Sequence, residues 1–274
     1  RLSMLISSKT TPTVYRSSAL NADLKYPVWP PADNLRYRNS LFKHAEADPV
    51  FADALWKMCK NDIIFWIDIT AWSKNTRLNP SIFPFICYDF QIPFILKVKR
   101  YVDEQLGDLG IEKTRDMGAS WCVLYVFQHE FQFEEGADFR VGSRKEDFVD
   151  KLGVIDTLLE KVRFNLEHQP MFLMPKGFST QREFEENTGY MKLINKANNN
   201  SIIGESANEH FGSGGRSKAI LLDEYAKWPR GVDEQAWTST ADVTNCRIAM
   251  SSACGSACKF ARLIKGTKEK IEKV

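Results

Sequence analysis

The sequence predicts an α/β fold in which a mostly parallel central sheet carries helices on its faces. Three observations lead there. Beyond Pro80 and Pro84 short apolar runs alternate with longer helix-like stretches, the texture of β-α units that build a parallel sheet. Ala219-Ile220-Leu221-Leu222 is a continuous apolar run bounded by polar residues, as expected of a strand buried on both faces. That run delivers two adjacent carboxylates, Asp223 and Glu224, and open α/β sheets bind ligands at the carboxyl ends of their strands.

Taken in chain order, residues 1–34 are expected to form an arm. Their start is Ser/Thr-rich, and Tyr26-Pro27-Val28-Trp29-Pro30-Pro31 excludes helix and favours an extended run. From Asn34 to about Asn75, Leu41, Phe42, Ala45, Phe51, Leu55 and Met58 recur near the helical period, and the apolar Ile63-Ile64-Phe65-Trp66-Ile67 follows. Residues 1–80 are therefore assigned to an arm and a small helical subdomain, and 81–258 to the α/β core. Within that core, helices are expected at 91–106, 119–131, 145–168 and 233–242. Strands are expected at 109–112, 138–143, 190–194, 201–205, 218–223 and 246–251. Gly212-Ser213-Gly214-Gly215 marks a flexible break before the acidic strand. Residues 259–274 form a basic tail or the start of a linker, with Lys259, Arg262, Lys265, Lys268, Lys270 and Lys273 set against Glu269 and Glu272. A solvated terminal helix accounts for that run as well as a nucleic-acid contact does.

A chain of 274 residues with 43% hydrophobic content can bury a substantial core as one large domain, or one domain plus an appendage. With 37 basic against 35 acidic residues, any attraction to a polyanion must arise from local patches. The six cysteines show none of the paired spacing of a structural zinc site, so reduced intracellular thiols are expected. No signal peptide is expected, and no apolar run approaches the roughly 20 residues that span a bilayer. The chain opens at Arg1 rather than Met, as a trimmed or excised segment would.

The chemistry-bearing stretch is Lys113-Thr114-Arg115-Asp116-Met117-Gly118-Ala119-Ser120. A phosphate-binding loop needs backbone N–H groups converging at a helix start, a lysine reaching the β/γ-phosphates, and a hydroxyl that ligates Mg²⁺. Gly118 and Ser120 occupy the last glycine and hydroxyl positions of the usual spelling. Ala119 stands where the lysine should be and Lys113 replaces the first glycine, so the charge is displaced to the loop's entrance. Alone, the stretch also fits an ordinary strand-to-helix turn, and an apolar strand ending in Asp-Glu also fits a helix-capping aspartate beside a solvated glutamate. Histidines 44, 129, 168 and 210 lack ligand spacing, and Glu130, Glu134 and Glu135 are expected to form a solvated cluster near a helix end.

Together these segments resemble the ATPase domain of tailed-bacteriophage large terminases, the motors that package DNA. The resemblance runs through Asn61–Ile67, Phe85–Gln91, Lys113–Trp121, Ser143–Glu146, Gly214-Gly215-Arg216, Leu222-Asp223-Glu224 and Asn245–Ile248, ending at Ser251-Ser252-Ala253-Cys254-Gly255. That family commonly carries a deviant loop with its lysine at the first position. The resemblance implies a RecA-like P-loop fold with a helical subdomain packed near the nucleotide. It implies that ATP is bound by Tyr88, Gln91 and the Lys113–Trp121 loop, Mg²⁺ by Ser120 and Asp223, and that Glu224 activates water. Gln91 would read the adenine edge with Tyr88 nearby. Arg115 lies where some members place a phosphate-sensing arginine, although it could equally pair with Asp116. Arg216 matches a finger that reaches a neighbouring subunit, with Arg144 as second choice, and Ser251 to Gly255 matches the motif coupling hydrolysis to movement.

The partners so implied are double-stranded DNA bound without sequence preference, a portal protein, a small terminase subunit, and further copies of the chain in a ring, with a monomer expected in isolation. No membrane contact is expected; the implied location is the host cytoplasm, transiently on the procapsid. Family members also carry a nuclease domain, for which the residues after Gly255 leave no room, so no DNA cleavage is expected. A superfamily 2 helicase-like translocase shares the loop, acidic strand and adenine-reading glutamine but needs a second RecA-like lobe. A nucleotide-binding scaffold that no longer hydrolyses is the remaining alternative, with Ala119 as its mark.

Overall fold

The computed structural model describes residues 11–253, 255, 257–266 and 271–273. The chain divides into two compact units with the boundary between Ile86 and Cys87.

In the first unit, a hairpin of β1 (Val14–Ser17) and β2 (Lys25–Trp29) leads into three helices, α1 (Pro31–Ala47), α2 (Pro49–Asn61) and α3 (Ile63–Thr70). A short antiparallel pair, β3 (Trp72–Lys74) with β4 (Ile82–Pro84), closes it. The helix boundaries follow local chemistry. Pro31 and Pro49 sit in the first helical turn, where a missing N–H costs nothing. Asp48 caps α2 and Asp62 caps α3 by accepting backbone N–H groups of their first turns. Every residue of α3 is buried. Fully buried Arg38 pins this unit by donating to the carbonyls of Asp68, Ala71 and Phe85 at 2.7–3.1 Å.

The expected arm is, over residues 14–29, a packed hairpin. Tyr26 and Val28 alternate inward, Asp68 pairs with Arg16 and accepts from the Tyr26 hydroxyl, and Asp62 accepts from Ser18 Oγ at 2.9 Å. Residues 1–10 of that stretch lie outside the described residues.

The second unit contains α4 (Gln91–Glu104), β5 (Asp108–Glu112), α5 (Ala119–Phe133), β6 (Asp138–Ser143), α6 (Glu146–Val149), α7 (Leu158–Glu167) and α8 (Gln181–Asn187). It continues with β7 (Lys192–Asn195), β8 (Asn200–Ser206), β9 (Ala219–Asp223), α9 (Val232–Ser239), β10 (Arg247–Ser251), α10 (Lys259–Lys265) and β11 (Ile271–Lys273). The sheet order is β11-β5-β10-β9-β6-β8-β7, parallel throughout except for β7 against β8. This is the expected α/β architecture. All of β9 is buried; Ile220 and Leu222 pack with Tyr225, Trp228, Trp237 and Phe260 on one side, which by strand alternation leaves Ala219 and Leu221 for the other. The register aligns Glu112 with Ser251 and Asp223 with Met250, so the ends of β5, β10 and β9 form one edge.

The helix expected over 145–168 is two helices, α6 and α7, separated by a turn with Gly153 at φ 77°. Asp150 ends α6 and turns its carboxylate to a forked pair with Arg163 at 2.6 and 2.7 Å. The unexpected α8 is set by a Thr180/Glu183 capping box. The expected solvated cluster near Glu130 is also corrected. Helix α5 continues to Phe133 and buries Glu130 completely, where Lys99 and Lys218 neutralise it. Likewise the start of the basic tail is not a solvated run. Lys259, Phe260, Ala261 and Leu263 are buried in α10, while residues 267–270 and 274 lie outside the described residues.

Candidate functional site

Lys113 follows the last residue of β5, and its backbone N–H donates to the Ser251 carbonyl at 3.0 Å. Its side chain therefore starts on the carboxyl edge of the sheet. Six residues on, α5 begins at Ala119 behind Gly118, whose φ of 74° is a conformation that glycine adopts without penalty. No side chain caps this helix start, so its first N–H groups are free to face an anion. From the other side, β9 carries Asp223 to the same edge. Consecutive strand residues normally point to opposite faces. Glu224 instead takes a left-handed backbone (φ 50°, ψ 36°), which turns its carboxylate toward the same lysine as Asp223.

The result is a compact charge cluster. Lys113 Nζ lies 3.1 Å from Ser120 Oγ, 3.4 Å from Asp223 Oδ1 and 3.4 Å from Glu224 Oε1. Ser120 Oγ donates to Asp223 Oδ1 at 3.2 Å. Residues more than a hundred positions apart in the chain are thus brought within hydrogen-bond reach of one ammonium. The two acids are driven apart in proton affinity. Burial raises the Asp223 pKa; Lys113 counters it, Glu224 reinforces it, and the net shift is upward. Burial also pushes Glu224 upward, but its bond to Lys227 and the Lys113 charge outweigh that and hold it below the usual range. Neighbouring acids separated in this way are suited to different tasks.

Sequence reasoning missed Lys161. Its Nζ donates to the carbonyls of Asp156 at 2.6 Å and Thr157 at 3.2 Å and lies 5.7 Å from the Trp121 ring centre. Burial lowers its pKa to about 8, with the Asp223 charge partly offsetting the drop. No local motif marks this lysine. It lies on α7, which packs against α5 and so faces Trp121 in that helix's first turn.

Gln91 opens α4 almost fully buried. Its Oε1 accepts from the Tyr88 N–H and its Nε2 donates to the Met117 carbonyl, both at 3.0 Å, which fastens α4 to the Lys113 loop. An amide has further donor and acceptor capacity beyond those two bonds. Tyr88 is exposed and stacks on exposed Phe90, with ring centres 5.6 Å apart and planes within 7°. Thr114, Arg115, Asp116 and Met117 line the exposed loop, and Arg115 forms no ion pair among the described residues, with Asp116 or otherwise. Ala119 and Trp121 are half-buried. Ser251 ends β10 fully buried, and its Oγ has no hydrogen-bond partner. Ser252 is half-buried and Ala253 and Gly255 are exposed, while Cys254 lies outside the described residues.

The two candidate finger arginines fall at opposite ends of the sheet. Arg144 follows the last residue of β6 on the Lys113 edge, its guanidinium 4.5 Å from the Phe148 ring centre. Arg216 is exposed and precedes β9. The five residues of β9 span about 16 Å at roughly 3.3 Å per residue, so Arg216 does not join the Lys113 cluster of its own chain.

Among the described residues no group of three or more His, Cys, Asp or Glu side chains could cage a metal. The five described cysteines are unbridged, and no described helix is long and apolar enough to cross a membrane.

The fold has a counterpart among solved phage structures. The chain is similar to the large terminase of bacteriophage HK97, with a TM-score of 0.54 and 15% identity, covering 78% of this chain and 43% of that one. It is also similar to a mutant of the large terminase ATPase domain of Thermus phage P74-26 (TM-score 0.41, 14% identity, 68% and 84% covered). A third likeness is to the large terminase of a thermophilic bacteriophage (TM-score 0.37, 12% identity, 66% and 44% covered). The chain thus spans under half the length of the HK97 protein. No protein-family model matches it, and no curated protein does. The HK97 likeness shows the fold alone, a mostly parallel α/β sheet flanked by helices that a large terminase also has.

Proposed function

We propose that this chain is the Mg²⁺-dependent ATPase domain of a viral DNA-packaging motor. One observation carries the proposal: the Lys113 ammonium stands among Ser120, Asp223 and Glu224 beside the uncapped start of α5. Lys113 neutralises the terminal phosphates from the loop's entrance, the role that Ala119 cannot fill. The α5 N–H groups cradle the phosphate chain. Gln91, with Tyr88 stacked on Phe90 beside it, receives the adenine. Glu224, held ionised by Lys227 and Lys113, accepts the proton of the attacking water, general-base work worth about 10²–10⁴ in rate.

The residues fit a magnesium ion. Ser120 Oγ and Asp223 Oδ1 are hard oxygen donors 3.2 Å apart, and Mg²⁺ is usually held by one or two carboxylates together with substrate phosphates. When bound, the ion neutralises charge on the phosphate oxygens. Arg115 and, from a neighbouring copy, Arg216 supply further positive charge to the transferring phosphoryl group. The Ser251–Gly255 stretch, whose Ser251 carbonyl accepts from the Lys113 N–H, links the site to movement. In a ring docked on the portal of a procapsid in the host cytoplasm, with a small terminase subunit, this hydrolysis drives duplex DNA inward.

Steady-state ATPase measurements on the wild type and Glu224→Ala test the reading across a range of protein concentrations, because Arg216 serves a neighbour. Turnover that rises with concentration and collapses in Glu224→Ala supports it. Equal, negligible turnover in both at every concentration favours the scaffold that Ala119 would mark. Translocation that needs a second RecA-like lobe supplied in trans favours the helicase-like alternative.

A further inference from the structure

Arg140 lies in the middle of β6 and Glu205 near the end of the adjacent β8, and the two form an ion pair on the sheet. Neither spends its remaining hydrogen-bonding groups on the sheet. Glu205 Oε2 accepts from the backbone N–H of Gly212 at 2.8 Å. Arg140 donates to the Gly214 carbonyl at 2.7 Å and to Ser217 Oγ at 3.1 Å. The second half of the segment between β8 and β9, from Gly212 to Ser217, is therefore gripped at three points by one half-buried pair. Its flanks are fixed as well: the carbonyl of buried Phe211 accepts from Ser239 Oγ at 2.7 Å, and the Ser217 N–H donates to Val243 at 2.9 Å. Gly212, at φ 79°, passes so close to Thr240 that an added Cβ would lie 2.6 Å from its methyl.

Arg216 is the exception within this held segment. It is exposed and has no ion-pair partner among the described residues. A half-buried ion pair contributes little net stability once its desolvation is counted, and β6 and β8 are already joined by a complete parallel ladder. The pair's hydrogen bonds instead fix the backbone on either side of one unpaired guanidinium. A group that must meet a transition state on another molecule needs that kind of support, since a displacement of about 1 Å can cost about a hundredfold in rate.

We infer that Arg140 and Glu205 are positioning residues that hold Arg216 for the nucleotide site of a second copy of this chain. The inference rests on the ATPase reading above. The test uses the whole chain carrying Arg140→Met, Glu205→Gln or Arg216→Ala, assayed for ATP turnover at concentrations where the wild type is fully active. All three are expected to lose about a hundredfold or more in kcat with KM for ATP unchanged. Each is then mixed with Glu224→Gln, which lacks the base but keeps an intact Arg216 segment. Turnover should recover in the mixture, because a working site meets a working arginine.

A variant that had merely loosened its own site would not be rescued, and absence of rescue overturns the inference. So does wild-type turnover in both Arg140→Met and Glu205→Gln while Arg216→Ala is impaired. Glu205→Gln keeps the side-chain volume, so it remains informative if Arg140→Met fails to fold. Undiminished turnover in Lys113→Ala, by contrast, would sink the ATPase reading itself.

Discussion

Asp223 and Glu224 are adjacent in sequence yet answer to different forces. Asp223 is buried and its charged form is disfavoured, whereas Glu224 is held ionised by two lysines. A carboxylate whose folded pKa is raised costs stability at neutral pH, since the folded state binds protons that the unfolded chain has released. Asp223→Asn is therefore expected to keep or raise Tm while abolishing Mg²⁺-dependent nucleotide binding; a large fall in Tm would show that the carboxylate serves the fold instead. Glu224→Gln keeps the side-chain volume but removes the proposed base together with its charge pairs to Lys113 and Lys227, and should lower kcat by about 10²–10⁴ with nucleotide affinity retained. At this scale Lys113, Ser120, Asp223 and Glu224 were legible in the sequence, because a loop spelling and an apolar strand each carry a local pattern. Lys161 and the Arg140–Glu205 pair were not, since their roles depend on contacts between segments that no local pattern encodes.

Among the elements, α5 connects the site to the rest of its unit. It starts behind the Lys113 loop and, in its last turn, buries Glu130 between Lys99 of α4 and Lys218 before β9. Burial would raise the Glu130 pKa, but the two lysines outweigh it and hold it at about 2. With a depressed folded pKa, its contribution is complete above the unfolded value of about 4.3 and is lost as pH falls toward 2. Glu130→Gln should destabilise the protein by about 2 kcal/mol at pH 7, and its Tm deficit should shrink between pH 5 and 2.5. A deficit independent of pH would mean that packing rather than charge is involved. In the first unit, Arg38→Met removes the guanidinium's bonds to the carbonyls of Asp68, Ala71 and Phe85, although Asn34 Nδ2 still donates to Asp68 and the Phe85 N–H to Ala71; it should cost about 2 kcal/mol, read by denaturant unfolding.

Most element positions were visible from periodicity, strands β5, β6 and β8 to β10 within two residues. The misses share one cause. A helix-like stretch cannot reveal that Asp150 will leave the helix to pair with Arg163, and an extended run at Tyr26–Pro31 cannot reveal that it will pair with residues 14–17.

For the whole molecule, the alternation of strands with helices along the chain predicted a mostly parallel sheet, but not its order or the antiparallel β7 at its edge, since neighbour choice is set by connections rather than by any strand's own residues. With a nearly balanced total charge, the proposed motor function requires that duplex DNA be held by local patches through its phosphates. Binding should therefore be indifferent to sequence, and log K should fall linearly with log salt. Anisotropy titrations with two unrelated duplexes check this, and a strong preference for either one counts against a packaging motor.

The most direct test is a crystal structure of the chain with Mg²⁺ and a non-hydrolysable ATP analogue. The account predicts that Lys113 Nζ leaves the Asp223 and Glu224 carboxylates for the terminal phosphate oxygens, with Ser120 and Asp223 beside the ion. An analogue bound away from the carboxyl edge, or bound there while Lys113 stays paired with the two acids, would contradict it.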